Sequence, residues 1–236
     1  MSAVQEKPGQ KYAELSTAEK VIEFIQKNRR IIFGGLLVIV VGIVGAVIGL
    51  TVQERLRLEA FTRVDEFQQR YEALHEDIAH ADEHEDSDQA AVDALLADLA
   101  AFAARNSGTA ARRAFSISAS IYWQQERWLE AEKAWMAAAE AAPQTYFAPI
   151  ALWNAAVEAE EQGNLESAIA LYTRVAQEHE EVFFIAARSQ FSVGRLEEAR
   201  DNSEAALEAY RNLLSRWPLE SEWANLAQSR VLLLSD

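Results

Sequence analysis

Residues Glu161 to Tyr172 read EQGNLESAIALY. In this stretch a glycine turn precedes Ala168, and an aromatic residue follows that alanine four positions later. The same alanine recurs at Ala131 and Ala206, again with Trp or Tyr four positions on, so the steps between copies are 37 and 38 residues. A fixed period of this length, with a turn in each copy, indicates a helix-turn-helix unit repeated three times.

The three copies resemble the tetratricopeptide repeat, a helix pair of about 34 residues with small residues where the helices touch and a proline near the end. Pro143 closes the first copy, whereas Glu180 stands at this position in the second. The third copy has Asp201 at the turn-glycine position, and its first helix, around Phe184 to Arg200, is predicted to fit the pattern poorly. The segment from Leu219 to Leu234 is predicted to cap the stack, because a terminal repeat would otherwise expose an apolar face.

An uninterrupted apolar stretch lies near the N-terminus. From Ile31 to Leu50 there is no charged or polar side chain; fourteen of the twenty residues are Ile, Leu, Val or Phe, and the others are Gly or Ala. A helix of this length spans the roughly 30 Å hydrocarbon core of a bilayer. A cleaved signal peptide is disfavoured, since the stretch is too long and no small-residue cleavage motif follows it. The predicted fold class is therefore all-α: a single N-terminal transmembrane helix followed by an α-solenoid of tetratricopeptide-like repeats.

The charges beside this stretch predict its orientation. The basic residues before it are Lys20, Lys27, Arg29 and Arg30, whereas Arg55 and Arg57 after it are accompanied by Glu54 and Glu59. Cytoplasmic flanks carry the excess of Lys and Arg. We therefore expect a single-pass protein of the bacterial inner membrane, with a cytoplasmic N-terminus and a periplasmic C-terminal domain.

Composition excludes several classes of function. Residues 31–236 hold 16 Lys/Arg against 33 Asp/Glu, a net charge of −17 that would repel nucleic acid and anionic lipid surfaces. Cysteine is absent, which removes disulfides, thiol nucleophiles and Cys-based zinc sites. No phosphate-binding glycine loop or nucleophile elbow is present. We expect no enzyme activity and no cofactor.

Four glycines of the apolar stretch are predicted to share one helix face. Gly35, Gly42 and Gly49 recur every seven residues, and Gly45 falls nearly on the same side. Small residues let a second helix approach closely in a membrane. The face is a candidate packing surface, although glycine is also common in such helices for other reasons.

Four segments are predicted along the chain. They are a cytoplasmic tail with an amphipathic helix (1–30), the transmembrane helix (31–52), a helical hairpin with an acidic loop (53–110), and three repeats plus the capping helix (111–236). An apolar stripe from Leu56 to Ile78 in the hairpin is expected to pack on the following helix or, alternatively, to form a dimeric coiled coil. His80 and His84 in the acidic loop have the spacing of a metal pair, but a solvated turn is the preferred interpretation.

The repeats point to protein binding. Stacked helix pairs form a solenoid whose concave side holds peptides or helices, and in the tetratricopeptide family fixed positions of each first helix line that groove. Carried onto this sequence, the groove positions are Arg113, Trp123, Trp153, Val157 and Phe191. The alternative is that both tryptophans belong to the core.

The layout as a whole resembles the ancillary subunit of the bacterial Sec translocon, a membrane-anchored tetratricopeptide-like protein. The resemblance implies protein partners: translocon subunits, extracytoplasmic chaperones and exported polypeptides. It implies an adaptor that passes emerging chains to chaperones. The alternative is an envelope scaffold that resembles the repeat domains of cell-division coordinators, which would self-associate as a homo-oligomer and tether partner proteins.

Overall fold

The computed structural model describes residues 17–80, 85–217 and 222–235. Within these ranges the chain forms nine α-helices and no strand. The helices are α1 (Thr17–His80), α2 (Glu85–Ala103), α3 (Gly108–Gln124), α4 (Trp128–Ala141), α5 (Phe147–Glu161), α6 (Leu165–Glu178), α7 (Phe183–Ala199), α8 (Ser203–Arg216) and α9 (Glu222–Leu234). The predicted all-α fold class is confirmed. The candidate metal residue His84 and the start of the predicted cap at Leu219 lie outside the described residues.

By its contacts the chain divides into two compact units, one up to Leu56 and one from Arg57 onward. Helix α1 contributes to both. Between Phe33 and Leu74 it contains an 18-residue window of mean hydropathy 2.8, none of it buried inside the protein. Among the described residues, one helix near the N-terminus is thus long and apolar enough to cross a bilayer.

The hairpin turns of the C-terminal unit share one backbone geometry. Glu126, Gly163 and Asp201 occupy corresponding turn positions and have φ angles of 54°, 74° and 58°. The next residue in each turn donates its N–H to the carbonyl five positions earlier, at 2.9 Å in all three copies. This hydrogen bond closes the end of the first helix. The turn therefore repeats with the 37- and 38-residue steps of the sequence, although only one copy has glycine there.

Small buried residues set the contacts within each hairpin. In each hairpin the first helix is α3, α5 or α7 and the second helix is α4, α6 or α8. The second helices carry three fully buried alanines, Ala131, Ala168 and Ala206. Gly194 in α7 is buried as well, and a Cβ placed on it would lie 2.5 Å from Cε1 of Tyr210 in α8. Small side chains at these positions let the paired helices approach closely.

The first helix of the third copy forms although its sequence fits the repeat pattern poorly. Residues Phe183–Ala199 form a regular helix, α7, that packs against α6 and α8. Its inward face carries Ile185, Ala186, Ser189 and Leu196, each at most 4% exposed. Buried aliphatic and small residues of this face hold the helix in the stack.

The two ends of the repeat stack are covered. The apolar stripe in the C-terminal part of α1 packs on α2. Its residues Val64 and Phe67 are almost fully buried in a cluster with Leu95 and Leu99. At the other end α9 packs on α7 and α8 and buries Ala224 and Ala227. Each helix of the repeats contacts its neighbours in sequence. The first helices α5 and α7 also contact each other, and α7 contacts the capping helix α9.

Candidate protein-binding surface

The first helices of the later hairpins carry a row of aromatic and cationic side chains. The guanidinium of Arg188 in α7 lies 4.2 Å from the ring centroid of Trp153 in α5 and 5.6 Å from that of Trp223 in α9. The ring of Phe191 lies 5.6 Å from that of Trp223. Cation–π contacts of this kind hold an arginine without using a carboxylate. We call these four residues the aromatic row.

The aromatic row is anchored in the core. Phe191 also contacts Tyr210 at 5.4 Å between ring centroids, and Trp153 contacts Tyr172 at 6.4 Å. Trp153 and Val157 are half-buried against the cluster of α5 and α6. The indole N–H of Trp153 is buried and has no hydrogen-bond acceptor. Trp153, Val157 and Phe191 are therefore both core and surface residues: one side of each side chain packs in the core and the other is accessible to solvent.

Two ion pairs repeat along the same helices. Arg195 of α7 contacts Glu160 of α5 through two hydrogen bonds of 2.7 Å. One hairpin further on, Arg230 of α9 pairs with Glu198 of α7, which also accepts a hydrogen bond of 2.6 Å from the hydroxyl of Tyr210. Hydrogen bonds from Arg230 and Tyr210 hold the pKa of Glu198 below its usual range. The pairs tie each first helix to the next.

The buried tyrosines of the second helices respond to the same carboxylates. Burial raises the pKa of Tyr172 and of Tyr210 well above the usual value, and Glu160 and Glu198 add to the effect by favouring the neutral phenol. Both hydroxyls therefore stay protonated and act as donors. This ladder of paired carboxylates and phenols has the same form in two successive hairpins.

The other two predicted groove residues lie elsewhere. Trp123, in the last turn of α3, is 51% exposed and corresponds in the repeat to Glu160. Because it is so exposed, it is not a core residue. Arg113 in α3 forms an ion pair of 2.7 Å with Asp65 of α1 and lines a cleft between these helices. The structure thus joins Trp153 and Phe191 in one row and keeps Arg113 and Trp123 apart from it.

The four glycines predicted as a packing face lie in the N-terminal unit. A Cβ built on Gly35, Gly42, Gly45 or Gly49 would meet no heavy atom within 4 Å. The stripe is therefore open to a neighbouring helix and is not used for packing by the described part of this chain.

Sequence reasoning misses Arg188 and Trp223 as members of the row. The repeat pattern assigns Trp223 only to the cap. Trp223 lies 35 residues after Arg188, which differs from the 37- and 38-residue steps, so the repeat period does not link the two residues. The ladder has a clearer signal, because Glu160 and Glu198 are separated by 38 residues, as are Tyr172 and Tyr210. A search for charged as well as small and aromatic residues at the repeat period would find it.

Helix pairs that repeat at a fixed period and stack in sequence define a helical-repeat protein, a class that works by binding other proteins. The chain is 34% identical over 227 residues to a TPR repeat-containing protein of Treponema pallidum (strain Nichols), and the match covers 92% of this chain and 93% of that relative. It belongs to the family of TPR repeat-containing proteins, and the predicted resemblance to the tetratricopeptide repeat is confirmed. No family model matches the chain.

Proposed function

We propose that this protein is a membrane-anchored adaptor that binds polypeptides on the extracytoplasmic side of the bacterial inner membrane. The aromatic row is the observation that carries the proposal. Its side chains come from α5, α7 and α9, so a bound segment would contact several hairpins at once. Aromatic and arginine side chains are the residue types that dominate binding energy at protein interfaces.

The anchor is residues 31–52 of α1, and the charges beside it support a cytoplasmic N-terminus. The repeats would then lie on the periplasmic side of the inner membrane. Exported chains emerge on that side, so an adaptor there could bind them before they fold. This arrangement fits an ancillary subunit of the Sec translocon that links exported polypeptides to chaperones.

The glycine stripe would dock the anchor on another membrane protein. Gly42 and Gly49 are two turns apart, and Gly45 lies beside them. No side chain of the described residues covers these positions. A partner helix could therefore approach the backbone closely, as small residues permit in membranes.

The proposal is tested by photocrosslinking the full-length protein in native membranes. A photoreactive residue at Gly42 probes the anchor, and one at Trp153 probes the aromatic row. Val44, about 200° around the helix from Gly42, is the matched control for the anchor. Ala170, exposed on the second helix of the hairpin that holds Trp153, is the matched control for the repeats.

We expect translocon subunits at Gly42 and exported polypeptides or chaperones at Trp153, with neither at the control positions. Equal products at control and test positions would contradict the assigned surfaces. Recovery of only a second copy of this protein, or of division proteins, would replace the adaptor with the envelope scaffold.

A further inference from the structure

A cleft of about 290 Å³ lies between α1, α3 and the first residue of α5. Its polar lining comes from Gln68, Tyr71, Arg112, Arg113, Ser116 and Ser120. Two cations line this cleft, and none of its lining residues is a carboxylate. In a protein with net charge −15, such a local excess of positive charge stands out.

Arg112 is the central residue of the cleft. It is only 8% exposed, and its Nε is buried without a hydrogen-bond acceptor. Its guanidinium lies 4.1 Å from the ring centroid of Phe147, which covers one face of the cation. Burial and the neighbouring charge of Arg113 lower the pKa of Arg112. A buried guanidinium with an unmet donor costs free energy that an acceptor would recover.

The neighbouring groups do not supply the missing acceptor. Arg113 reaches out of the cleft to Asp65, whose side chain is 57% exposed, so part of its charge is already compensated. The hydroxyls of Ser116 and Ser120 donate to backbone carbonyls of their own helix. Arg112 alone among the lining groups combines full charge, deep burial and an unpaired N–H.

The edge of the Arg112 guanidinium fixes the shape of the group that would satisfy it. Phe147 covers one face of the guanidinium. Because the N–H bonds of a guanidinium lie in its plane, an acceptor in the cleft has to approach Arg112 along that plane. A planar carboxylate fits that geometry with two parallel hydrogen bonds.

We propose that the cleft between α1 and α3 binds a carboxylate group, with Arg112 as its main ligand. This inference rests on the proposed function in one respect: it takes the carboxylate to be part of a polypeptide that the protein binds. Its source is either the C-terminus of that polypeptide or an Asp or Glu side chain. Binding of a simple carboxylate at Arg112 is a property of this protein, whichever partner the aromatic row has.

Binding can be followed by NMR through the chemical shift of the Arg112 Nε–Hε group, which has no hydrogen-bond partner. Full-length protein labelled with ¹⁵N-arginine in neutral detergent micelles gives one Nε–Hε signal per ordered arginine, and the Arg112 signal is assigned from its absence in Arg112→Gln. Acetate is the first probe, with acetamide as its uncharged isostere. We expect acetate to move the Arg112 signal saturably and acetamide to leave it unchanged, while exposed Arg211 responds to neither.

Three capped peptides then separate the sources. Acetyl-tetraalanine free acid has only a terminal carboxylate, its amide has none, and the amide with one Asp has only a side-chain carboxylate. Either carboxylate peptide alone, or both, binding at the Arg112 signal supports the site and names its source. Arg112→Gln should weaken that binding about tenfold or more, and Arg211→Gln should not.

Three results would overturn the proposal. They are no saturable shift with acetate or either carboxylate peptide, an equal shift with acetamide, and undiminished peptide binding to Arg112→Gln. The titration of the unaltered protein decides the matter even where Arg112→Gln misfolds. The crosslinking test at Trp153 is separate, so failure of one does not imply failure of the other.

Discussion

Gly194→Ala should destabilise the C-terminal unit, although it replaces a glycine in the middle of a helix. The new Cβ would lie 2.5, 2.7 and 2.8 Å from three ring carbons of Tyr210. These distances are far below van der Waals contact. The ring has little freedom to move away, because Tyr210 is 1% exposed and its hydroxyl donates to Glu198 at 2.6 Å.

The size of the effect follows from opposing terms. Overpacking a close-packed core costs about 1 to 3 kcal/mol. Replacing an interior helical glycine with alanine gains about 1 kcal/mol. Displacing Tyr210 would also weaken its hydrogen bond to Glu198, a further cost of about 1 kcal/mol. We therefore expect the free energy of unfolding to fall by about 1 to 3 kcal/mol.

The assay is urea unfolding of the full-length protein in neutral detergent, followed by tryptophan fluorescence of the C-terminal unit. The double variant Gly194→Ala/Tyr210→Leu is the control, because the smaller leucine side chain removes the clash. In the Tyr210→Leu background the alanine should be neutral or stabilising. If Gly194→Ala alone stabilises the protein by the helix-propensity gain, the close contact between α7 and α8 does not exist as described.

Three further predictions use the same unfolding assay. Glu198→Gln should cost about 1 to 2 kcal/mol because its carboxylate serves both an arginine and a buried phenol, whereas Glu66→Gln, in an exposed pair, should change stability by less than about 0.5 kcal/mol; equal losses would refute the distinction. Burial raises the pKa of Glu158 from 4.5 to about 7. Its contribution to the free energy of unfolding is therefore fully present below about pH 4.5 and falls by about 3 kcal/mol as the pH rises from there through 7. Glu158→Gln should remove that pH slope, and a slope unchanged in the variant would assign it to another group. Asp201→Gly should raise stability by about 0.5 to 1 kcal/mol and Gly163→Ala should lower it by about 1 to 2 kcal/mol, because both positions have positive φ; the same sign for both would contradict the turn geometry.

The turns illustrate what the repeat pattern can predict. Gly163 marks its turn because glycine readily adopts positive φ, and that turn appears where the sequence places it. Asp201 departs from the pattern in residue type, yet it takes the same conformation. Glu126 does so as well, although nothing in its residue type indicates it. The closing hydrogen bonds and the packing of the paired helices offset the strain, and neither is visible in one position of a sequence.

The candidate surface is predictable only in part for a related reason. Trp153 and Phe191 follow from the repeat register, since each occupies a corresponding position of a first helix. Arg188 and Trp223 join them through contacts between different hairpins, and those contacts depend on how far each helix is rotated in the stack. The repeat pattern does not indicate Arg112, because the groove position falls on its neighbour Arg113. Arg112 is buried through its contact with Phe147 of α5, and a contact between different helices cannot be read from the sequence around Arg112.

Four arginines of α3, α7 and α9 fall into two groups that differ in what balances their charge. Arg195 and Arg230 face glutamates of the preceding first helix, so their charge is used to join hairpins. Arg188 and Arg112 instead lie against aromatic rings, which attract a cation but do not neutralise it. Their positive charge therefore remains available to a carboxylate, at two places on an otherwise acidic domain. A partner selected by these positions would be a polypeptide with acidic groups near apolar ones, because each arginine is presented beside an aromatic surface.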